Sequence, residues 1–223
     1  MIFTPTEIRF LATPEKGEVS ALLLRPDNAT HLLVLGHGAS SNMSSPLLAT
    51  IAESLAVQGI ATFRYNFPYS EKGGGRNSQA ICTETIRSAV KTASEVCSGL
   101  QILAGGHSFS GRMTSTAQSE EPIEGVKGLI FFSFPLHPAG EPATKRAEHL
   151  ATIDVPMLFL SGTRDALAEL NLLERMVKNL GNRATLHLLE TADHSFKILK
   201  RTRVSTEDVF EEIARVSREW VDR

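Results

Sequence analysis

The sequence predicts an α/β protein built around a mostly parallel β-sheet. From residue 31 onward, short runs rich in Val, Ile, Leu and Phe end in Gly or Pro and alternate with longer stretches of helical spacing. This alternation is typical of βα units around a parallel sheet. The 223 residues, with 42% hydrophobic and 22% charged side chains, match one ordinary globular domain, which we expect to span residues 1–223.

Eight strands are expected in this sheet. Segments 7–11 and 18–24 flank a Thr-Pro-Glu-Lys-Gly turn, so they predict an antiparallel hairpin that extends one edge. Six apolar runs predict the parallel strands, at residues 31–35, 60–65, 100–104, 128–132, 157–160 and 185–189.

Helical spacing predicts five helices, the clearest of which is the last. Ser205 is the expected N-cap of this helix, with Asp208 three positions on, and an apolar face follows at Val209, Ile213, Val216 and Trp220. Segments 66–77 and 134–144 are expected to be irregular, and neither is long enough to hold a cap domain. The other four helices are predicted at residues 46–57, 78–96, 109–119 and 166–180.

The charge balance and the cysteines exclude several classes of protein. The formal net charge is −2 and no basic run is present, so we expect no nucleic-acid partner. Cys82 and Cys97 lie on one predicted helix, roughly 22 Å apart along its axis, which is beyond the reach of a disulfide. The first residues lack the pattern of a secretory signal and no run of 18 apolar residues occurs, so we expect a cytoplasmic protein that does not bind a membrane.

A glycine-rich turn after the third parallel strand contains the candidate nucleophile. Strand 100–104 runs into Gly-Gly-His-Ser-Phe-Ser-Gly and then directly into a helix, with Ser108 at the apex. A serine in such a strand–turn–helix is held in a strained turn with its hydroxyl exposed. The pattern departs from G-x-S-x-G because Ser110 stands where the second glycine is usual, and an ordinary glycine-rich βα turn is the alternative interpretation.

A nucleophilic serine needs a base, and the base needs a carboxylate that orients it. Asp165 follows the strand at 157–160 and His194 follows the last strand, so both lie at the sheet edge where Ser108 lies. The chain order serine, acid, histidine is the one this type of turn requires. Asp193 adjoins His194 and would face away from its ring, so we interpret it as a solvated or capping residue.

The loop after the first parallel strand is the candidate oxyanion hole. Its sequence Leu-Gly-His-Gly-Ala-Ser can bend so that a backbone N–H faces the developing negative charge. We expect Ala39 to supply that N–H, with Ser40 as the alternative, and Phe109 after the nucleophile to supply the second. A dinucleotide-binding G-x-G-x-x-G loop would need glycine at position 41, where the sequence has Ser41.

The remaining histidines and one tyrosine are weighed as binding residues. His37 and His137 lie in edge loops, where a structural role and pocket lining are both open, and Tyr69 offers an apolar body with a polar tip. These three are the expected substrate contacts.

Neither HExxH nor paired Cys spacing occurs, so we expect neither a metal nor a cofactor. The other histidines are expected to be packed or exposed without a catalytic role: His31 and His187 in strands, His149 on a helix surface and His107 beneath the turn.

With these residues in place, the sequence resembles the α/β-hydrolase superfamily, and within it the small, lidless, dienelactone-hydrolase-like branch. The resemblance implies an α/β-hydrolase fold, with a mostly parallel eight-stranded sheet, helices on both faces and no cap domain. It also implies Ser108 as nucleophile, Asp165 as acid and His194 as base. A narrower resemblance, to predicted hydrolases related to testis-expressed and chromatin-complex hydrolase-like proteins, rests on Gly-His-Gly-Ala at 36–39, Asn-Phe-Pro-Tyr at 66–69, Phe-Pro-Leu-His-Pro at 134–138 and Gly-Thr-Arg-Asp at 162–165.

The function this predicts is a serine hydrolase that cleaves small carboxylic esters, thioesters or lactones through an acyl-enzyme on Ser108. Two alternatives stay open at this point. One is a catalytically idle interaction module that retains the fold, and the other is an acyltransferase that uses the same three residues. The sequence favours no particular oligomeric state.

Overall fold

The computed structural model describes residues 3–223 and contains the predicted eight-stranded sheet. The strands lie in the order β1-β2-β4-β3-β5-β6-β7-β8 across the sheet. Their bounds are β1 Thr6–Thr13, β2 Gly17–Leu24, β3 His31–Gly36, β4 Ile60–Tyr65, β5 Gln101–His107, β6 Val126–Phe132, β7 Met157–Gly162 and β8 Ala184–Leu189.

The pairing of the strands confirms the predicted mixture of directions. Strands β3 to β8 pair in parallel, while β1 and β2 form an antiparallel hairpin that joins the sheet through an antiparallel pairing of β2 with β4. Every residue of β3, β4 and β7 is buried, which explains why these strands read as continuous apolar runs without alternation. The reversal of strand order around β3 opens the crevice at which doubly wound sheets place their sites.

Helices cover both faces of the sheet, as predicted. One part of the core packs beneath α3, α4 and α5, and the other packs beneath α1 and α6. The helices are α1 Pro46–Val57, α2 Pro68–Lys72, α3 Gln79–Val96, α4 Phe109–Glu120, α5 Leu170–Leu180 and α6 Val209–Val221, with 3₁₀ segments at Lys145–Thr152 and Gly181–Arg183.

Two helix starts differ from the prediction. Helix α5 begins at Leu170 rather than at residue 166, because the Glu169 side chain accepts hydrogen bonds from the first backbone amides of the helix. Helix α6 is capped by Asp208, whose carboxylate accepts from the amide of Phe210 at 2.8 Å. The predicted cap Ser205 instead accepts from the Glu207 amide in the preceding turn. The predicted apolar face of α6 is buried, as expected.

The segment 66–77 is more ordered than the sequence indicated. Its first half forms the short helix α2, where we expected irregular backbone. The Asn66 side chain accepts from the Met43 amide at 2.8 Å and donates to Glu71 at 2.7 Å, and Glu71 also accepts from the Ser20 hydroxyl at 2.7 Å. These part-buried polar contacts, two of which reach residues far away in the sequence, hold the segment against the hairpin. No heavy atom lies within 4 Å of the Cβ positions of the glycine run at 73–75.

Between β6 and β7, the described chain contains the segment 134–144 followed by the 3₁₀ segment Lys145–Thr152. Cys82 and Cys97 are both buried free thiols. Of the helices within residues 3–223, none combines the length and the apolar character that crossing a bilayer requires.

Candidate active site

The predicted nucleophile occupies a strained turn between β5 and α4. Ser108 has φ 54° and ψ −112°, in a region that L-residues rarely adopt. Its backbone is fixed on both sides: the Ser108 amide donates to the Phe132 carbonyl at 2.9 Å, and its carbonyl accepts from the Arg112 amide at 3.2 Å. The surrounding sheet therefore holds a conformation that the chain would not adopt alone.

The departure from the usual glycine pattern is accommodated by glycines elsewhere. Ser110 is fully buried, and its hydroxyl donates to the His107 carbonyl at 3.1 Å. A Cβ on Gly106 would lie 2.1 Å from the Ser110 oxygen, and one on Gly36 would lie 2.4 Å from the Ser110 Cβ. The serine side chain thus occupies space that two neighbouring glycines leave open. The turn keeps the strained geometry with Ser110 in place.

The three predicted catalytic side chains are in contact. His194 Nε2 lies 2.8 Å from Ser108 Oγ, and His194 Nδ1 lies 2.9 Å and 2.8 Å from the two carboxylate oxygens of Asp165. A carboxylate only accepts hydrogen bonds, so Nδ1 carries the proton and the Nε2 lone pair faces the serine hydroxyl. The Asp165 side chain is fully shielded from solvent, and it also accepts from the Leu167 amide at 2.8 Å. The His194 side chain is 22% exposed.

Asp193 is turned into its own loop, as the sequence indicated. Its carboxylate accepts from the amides of Ser195 at 2.8 Å and Lys197 at 3.0 Å. The same loop contains two residues with positive φ, Thr191 at 59° and Phe196 at 62°. Asp193 therefore stabilises the turn that presents His194 and makes no contact with the His194 ring among its hydrogen bonds.

The expected oxyanion donors lie on either side of Ser108 in the chain order of the site. Phe109 begins α4, and Ala39 follows β3. Among the turn and loop hydrogen bonds of residues 3–223, none is donated by the amides of Ala39, Ser40 or Phe109. Ala39 and Phe109 stay our predicted donors, with Ser40 as the alternative.

Two of the predicted substrate contacts, His37 and His137, are buried within loops, and their role toward a substrate stays a prediction. His37 is fully buried: its Nδ1 donates to the Gly38 carbonyl at 2.8 Å, and its Nε2 accepts from the Phe67 amide at 3.3 Å. His137 is also buried, donating from Nδ1 to the Pro138 carbonyl at 2.7 Å and accepting at Nε2 from the Glu169 amide at 2.8 Å. Each ring nitrogen of His37 and His137 thus has a partner within the protein, and His37 Nε2 also lies 2.9 Å from the Ser70 hydroxyl. Burial lowers the pKa of His37 to about 4, which keeps it neutral.

Tyr69 does not offer the free polar tip that we expected. Its ring stacks on Phe67 with 5.8 Å between ring centroids and meets the Phe109 ring edge-on at 6.4 Å. The hydroxyl is buried, and burial raises the pKa of Tyr69. The side chain therefore packs under the residue that follows the nucleophile.

A depression of about 460 Å³ lies beside the expected oxyanion loop. It is bordered by Ala39 and Ser40 on one side and by Tyr69, Gly73 and Arg76 on the other. The Arg76 guanidinium also lies 5.8 Å from the centre of the Phe109 ring, so this depression is adjacent to the strained turn that holds Ser108. A larger depression of about 580 Å³, between α1 and α6, contains none of the predicted catalytic residues.

Sequence reasoning missed the contacts of two histidines. His107 donates from Nε2 to the His194 carbonyl at 2.9 Å, and its ring packs against His194 and Phe196. His149, expected on a helix surface, is partly buried and lies 2.7 Å from Ser115 Oγ. The one available signal for His107 was its place next to Ser108. Among residues 3–223, no cluster of three or more His, Cys, Asp or Glu side chains is arranged to hold a metal.

The two histidines predicted within strands are both partnered. His31 is buried, with Nδ1 2.9 Å from the Thr30 hydroxyl. His187 Nε2 lies 2.8 Å from a carboxylate oxygen of Glu212 on α6. Neither contact involves Ser108, Asp165 or His194.

Comparison with known proteins places this geometry in a family. Residues 29–222 match the model of the alpha/beta hydrolase domain. The dienelactone hydrolase of Anabaena variabilis ATCC 29413 superposes with a TM-score of 0.74 at 19% identity, covering 98% of this chain and 97% of that one. The esterase domain of a Rhodothermus marinus protein gives 0.71 at 18% identity, with 98% of both chains covered. A lidless α/β serine hydrolase from Xanthomonas campestris gives 0.73 at 16% identity, covering 100% of this chain and 96% of that one.

These likenesses confirm the fold, and the family model confirms the broader resemblance that the sequence indicated. The narrower resemblance to testis-expressed and chromatin-complex hydrolase-like proteins stays a prediction. The chain belongs to the α/β-hydrolase family.

Proposed function

We propose that this protein is a serine hydrolase that cleaves small carboxylic esters, thioesters or lactones through an acyl-enzyme on Ser108. The observation that carries the proposal is the continuous chain of contacts from Ser108 Oγ to His194 Nε2 at 2.8 Å and from His194 Nδ1 to Asp165 at 2.8 Å. Family membership and the esterase and dienelactone hydrolase neighbours support the same class of reaction.

The first half-reaction acylates the serine. Ser108 Oγ attacks the carbonyl carbon while His194 Nε2 takes the hydroxyl proton, and Asp165 stabilises the resulting imidazolium. The negative charge that develops on the carbonyl oxygen is met by the Ala39 and Phe109 amides. When the tetrahedral intermediate collapses, the bond to the leaving oxygen or sulfur breaks, and His194 returns the proton to that atom.

The second half-reaction regenerates the enzyme. Water gives a proton to His194 Nε2 and attacks the acyl carbon, after which the bond to Ser108 Oγ breaks and the proton returns to the serine. An acceptor alcohol or amine in place of water would make the protein an acyltransferase with the same residues. Product analysis in the presence of added alcohols separates the two outcomes.

The deciding experiment is labelling with a fluorophosphonate probe, followed by mass spectrometry of the modified peptide. We expect an adduct on Ser108 in the wild-type protein and none in Ser108→Ala. A wild-type protein that is folded but forms no adduct would contradict the proposal and favour an idle interaction module. Turnover of p-nitrophenyl acetate and butyrate, measured in parallel, tests hydrolysis itself.

A further inference from the structure

We propose that His107 is a positioning residue that holds the base His194 at its working distance from Ser108. The inference rests on the proposed function, since it assigns the geometry of the same site. The ring of His194 contacts Asp165, and its backbone carbonyl accepts a hydrogen bond from His107 Nε2 at 2.9 Å. The first contact orients the ring, and the second fixes the position of the His194 carbonyl. A hydrogen bond from the Arg164 amide to the Ala192 carbonyl at 2.9 Å ties the start of the same loop to the chain after β7.

The direction of this hydrogen bond defines the state of His107. A backbone carbonyl only accepts, so His107 must carry its proton on Nε2. Burial, opposed in part by this hydrogen bond, lowers the pKa of His107 to about 4. The residue is therefore neutral near pH 7 with its only N–H directed at the His194 carbonyl, and it does not exchange protons in the reaction.

The loop that carries His194 depends on such support. Between Thr191 and Phe196 the backbone has two positive-φ residues, and conformations of this kind persist only where the surroundings hold them. Asp193 fixes the turn internally through the Ser195 and Lys197 amides. The hydrogen bond from His107 ties that turn to another strand. The His107 ring also packs beside the His194 ring, with 5.2 Å between centroids.

His107 is itself held by the nucleophile turn. It is the last residue of β5, directly before Ser108, and its carbonyl accepts from the Ser110 hydroxyl at 3.1 Å. A Cβ built on Gly38 would lie 3.1 Å from His107 Nδ1, so the ring also lies against the loop that leads to Ala39. One residue therefore contacts the segments of the nucleophile, the base and the expected oxyanion donor.

The test compares variants that keep or remove the donor. His107→Gln places an amide N–H at similar reach, whereas His107→Met has similar length and no donor. We expect His107→Met to lower kcat on p-nitrophenyl butyrate by about 10- to 100-fold with KM unchanged, because misplacing a reacting group by an ångström costs about that much. His107→Gln should recover kcat to within about 5-fold of wild type.

The matched controls are His31→Met and His31→Gln. His31 is a buried histidine at the start of β3, so it lies at the sheet edge opposite His107, and its Nδ1 is 2.9 Å from the Thr30 hydroxyl. Both control variants should keep kcat and KM. If His107→Met keeps wild-type kcat, or if His107→Gln is as slow as His107→Met, the positioning role is wrong. If His107→Met does not fold, His107→Leu, which also lacks a donor, replaces it in the comparison with His107→Gln, with the same expectations.

A second readout separates this inference from the proposed function. The Nδ1–H proton of His194, shifted downfield by its hydrogen bond to Asp165, can be followed by NMR without any substrate. We expect this signal to move or broaden in His107→Met and to stay near its wild-type position in His107→Gln. An unlabelled and inactive wild type with this NMR pattern would reject the proposed hydrolase and keep the positioning role, whereas an unchanged signal in His107→Met would reject the positioning role alone.

Discussion

Two serine–histidine pairs lie about two turns apart along the same helix, and only one of them has the arrangement of a nucleophile and its base. Ser108 at the start of α4 lies 2.8 Å from His194, and Ser115 within α4 lies 2.7 Å from His149. The distances are nearly equal, so distance alone does not distinguish a catalytic pair from a structural one.

The difference lies in which acceptors each serine hydroxyl has. The Ser115 hydroxyl lies 2.9 Å from the Arg112 carbonyl as well as 2.7 Å from His149 Nε2, so its one proton has a backbone acceptor within its own helix. Ser108 has no such acceptor on α4. It is the N-cap residue, with φ 54°, and its side chain makes no capping hydrogen bond to the helix. Its proton is free to go to His194.

The third group and the exposure of the serine also differ. His194 is oriented by the shielded carboxylate of Asp165, whereas within residues 3–223 no carboxylate forms an ion pair with His149. Ser115 is fully buried and Ser108 is partly exposed. The strained turn therefore makes Ser108 a candidate nucleophile, because it keeps the serine hydroxyl away from the helix carbonyls that would otherwise accept its proton.

The largest expected effect comes from removing the Ser108 hydroxyl. Ser108→Ala should reduce kcat on activated esters by about 10⁶-fold, or to the assay background, because the attacking atom is lost while little packing changes. Steady-state kinetics on p-nitrophenyl butyrate measure this, with a melting curve to show that the fold is intact. Substantial turnover by pure Ser108→Ala would exclude the mechanism.

The acid should matter next. Asp165→Asn should reduce kcat by about 10⁴-fold, because an amide at this position no longer holds the proton on His194 Nδ1. Asp193→Asn is the control, since this carboxylate contacts only its own turn, and we expect less than about a 5-fold change. The opposite ranking of kcat would show that Asp193 is the working acid.

The glycine run at 73–75 tests whether the depression beside Ala39 takes part in binding. Deleting two of its glycines should change the preference over an ester chain-length series by about 5-fold in kcat/KM, roughly the value of one methylene in a pocket. The melting temperature should stay unchanged, because nothing lies within 4 Å of the side-chain positions of these glycines. The same chain-length profile before and after deletion would remove this depression from the substrate site.

Ser115→Ala should act on stability and leave catalysis alone. The change deprives His149 Nε2 of its hydrogen-bond partner, which should cost about 1–3 kcal/mol of unfolding free energy, while kcat stays within about 2-fold. Urea denaturation and ester kinetics on the same preparation check both parts. A loss of kcat comparable to that of Ser108→Ala would mean that the two pairs do not differ as described.

The smallest expected effect is in the pH dependence of stability. Burial, with a smaller contribution from Arg112, lowers the pKa of His149 below its ordinary value of 6.5. As the pH falls below about 6.5, the unfolded chain binds a proton at this residue before the folded protein does, so stability decreases toward acid pH. His149→Gln should flatten this part of the curve of unfolding free energy against pH. A curve of unchanged slope would contradict the lowered pKa.

Sequence reasoning recovered the elements that are set by local patterns. The continuous apolar runs predicted β3 to β7 because these parallel strands are largely buried on both faces. The run at 185–189 predicted β8, a half-buried edge strand, and a turn motif predicted the hairpin. The cap of α6 was misassigned, because Ser205 and Asp208 are both good caps and local preference does not rank them. Helix α2 was missed because Asn66 and Glu71 are satisfied by Met43 and Ser20, which are distant in the chain.

The amino-acid sequence alone was enough to predict which strand each candidate catalytic residue follows: the serine follows β5, the carboxylate follows β7 and the histidine follows β8. Each follows from the rule that residues after parallel strands meet at one sheet edge. The folded structure was needed to distinguish the candidate base from the histidines that make other hydrogen bonds. Ser108 and His194 are 86 residues apart, and hydrogen-bond direction at a histidine depends on the backbone that folding brings to it. For that reason the sequence did not reveal the hydrogen bonds of His37 and His137 to loop backbone, or the contact from His107 to the loop of the base.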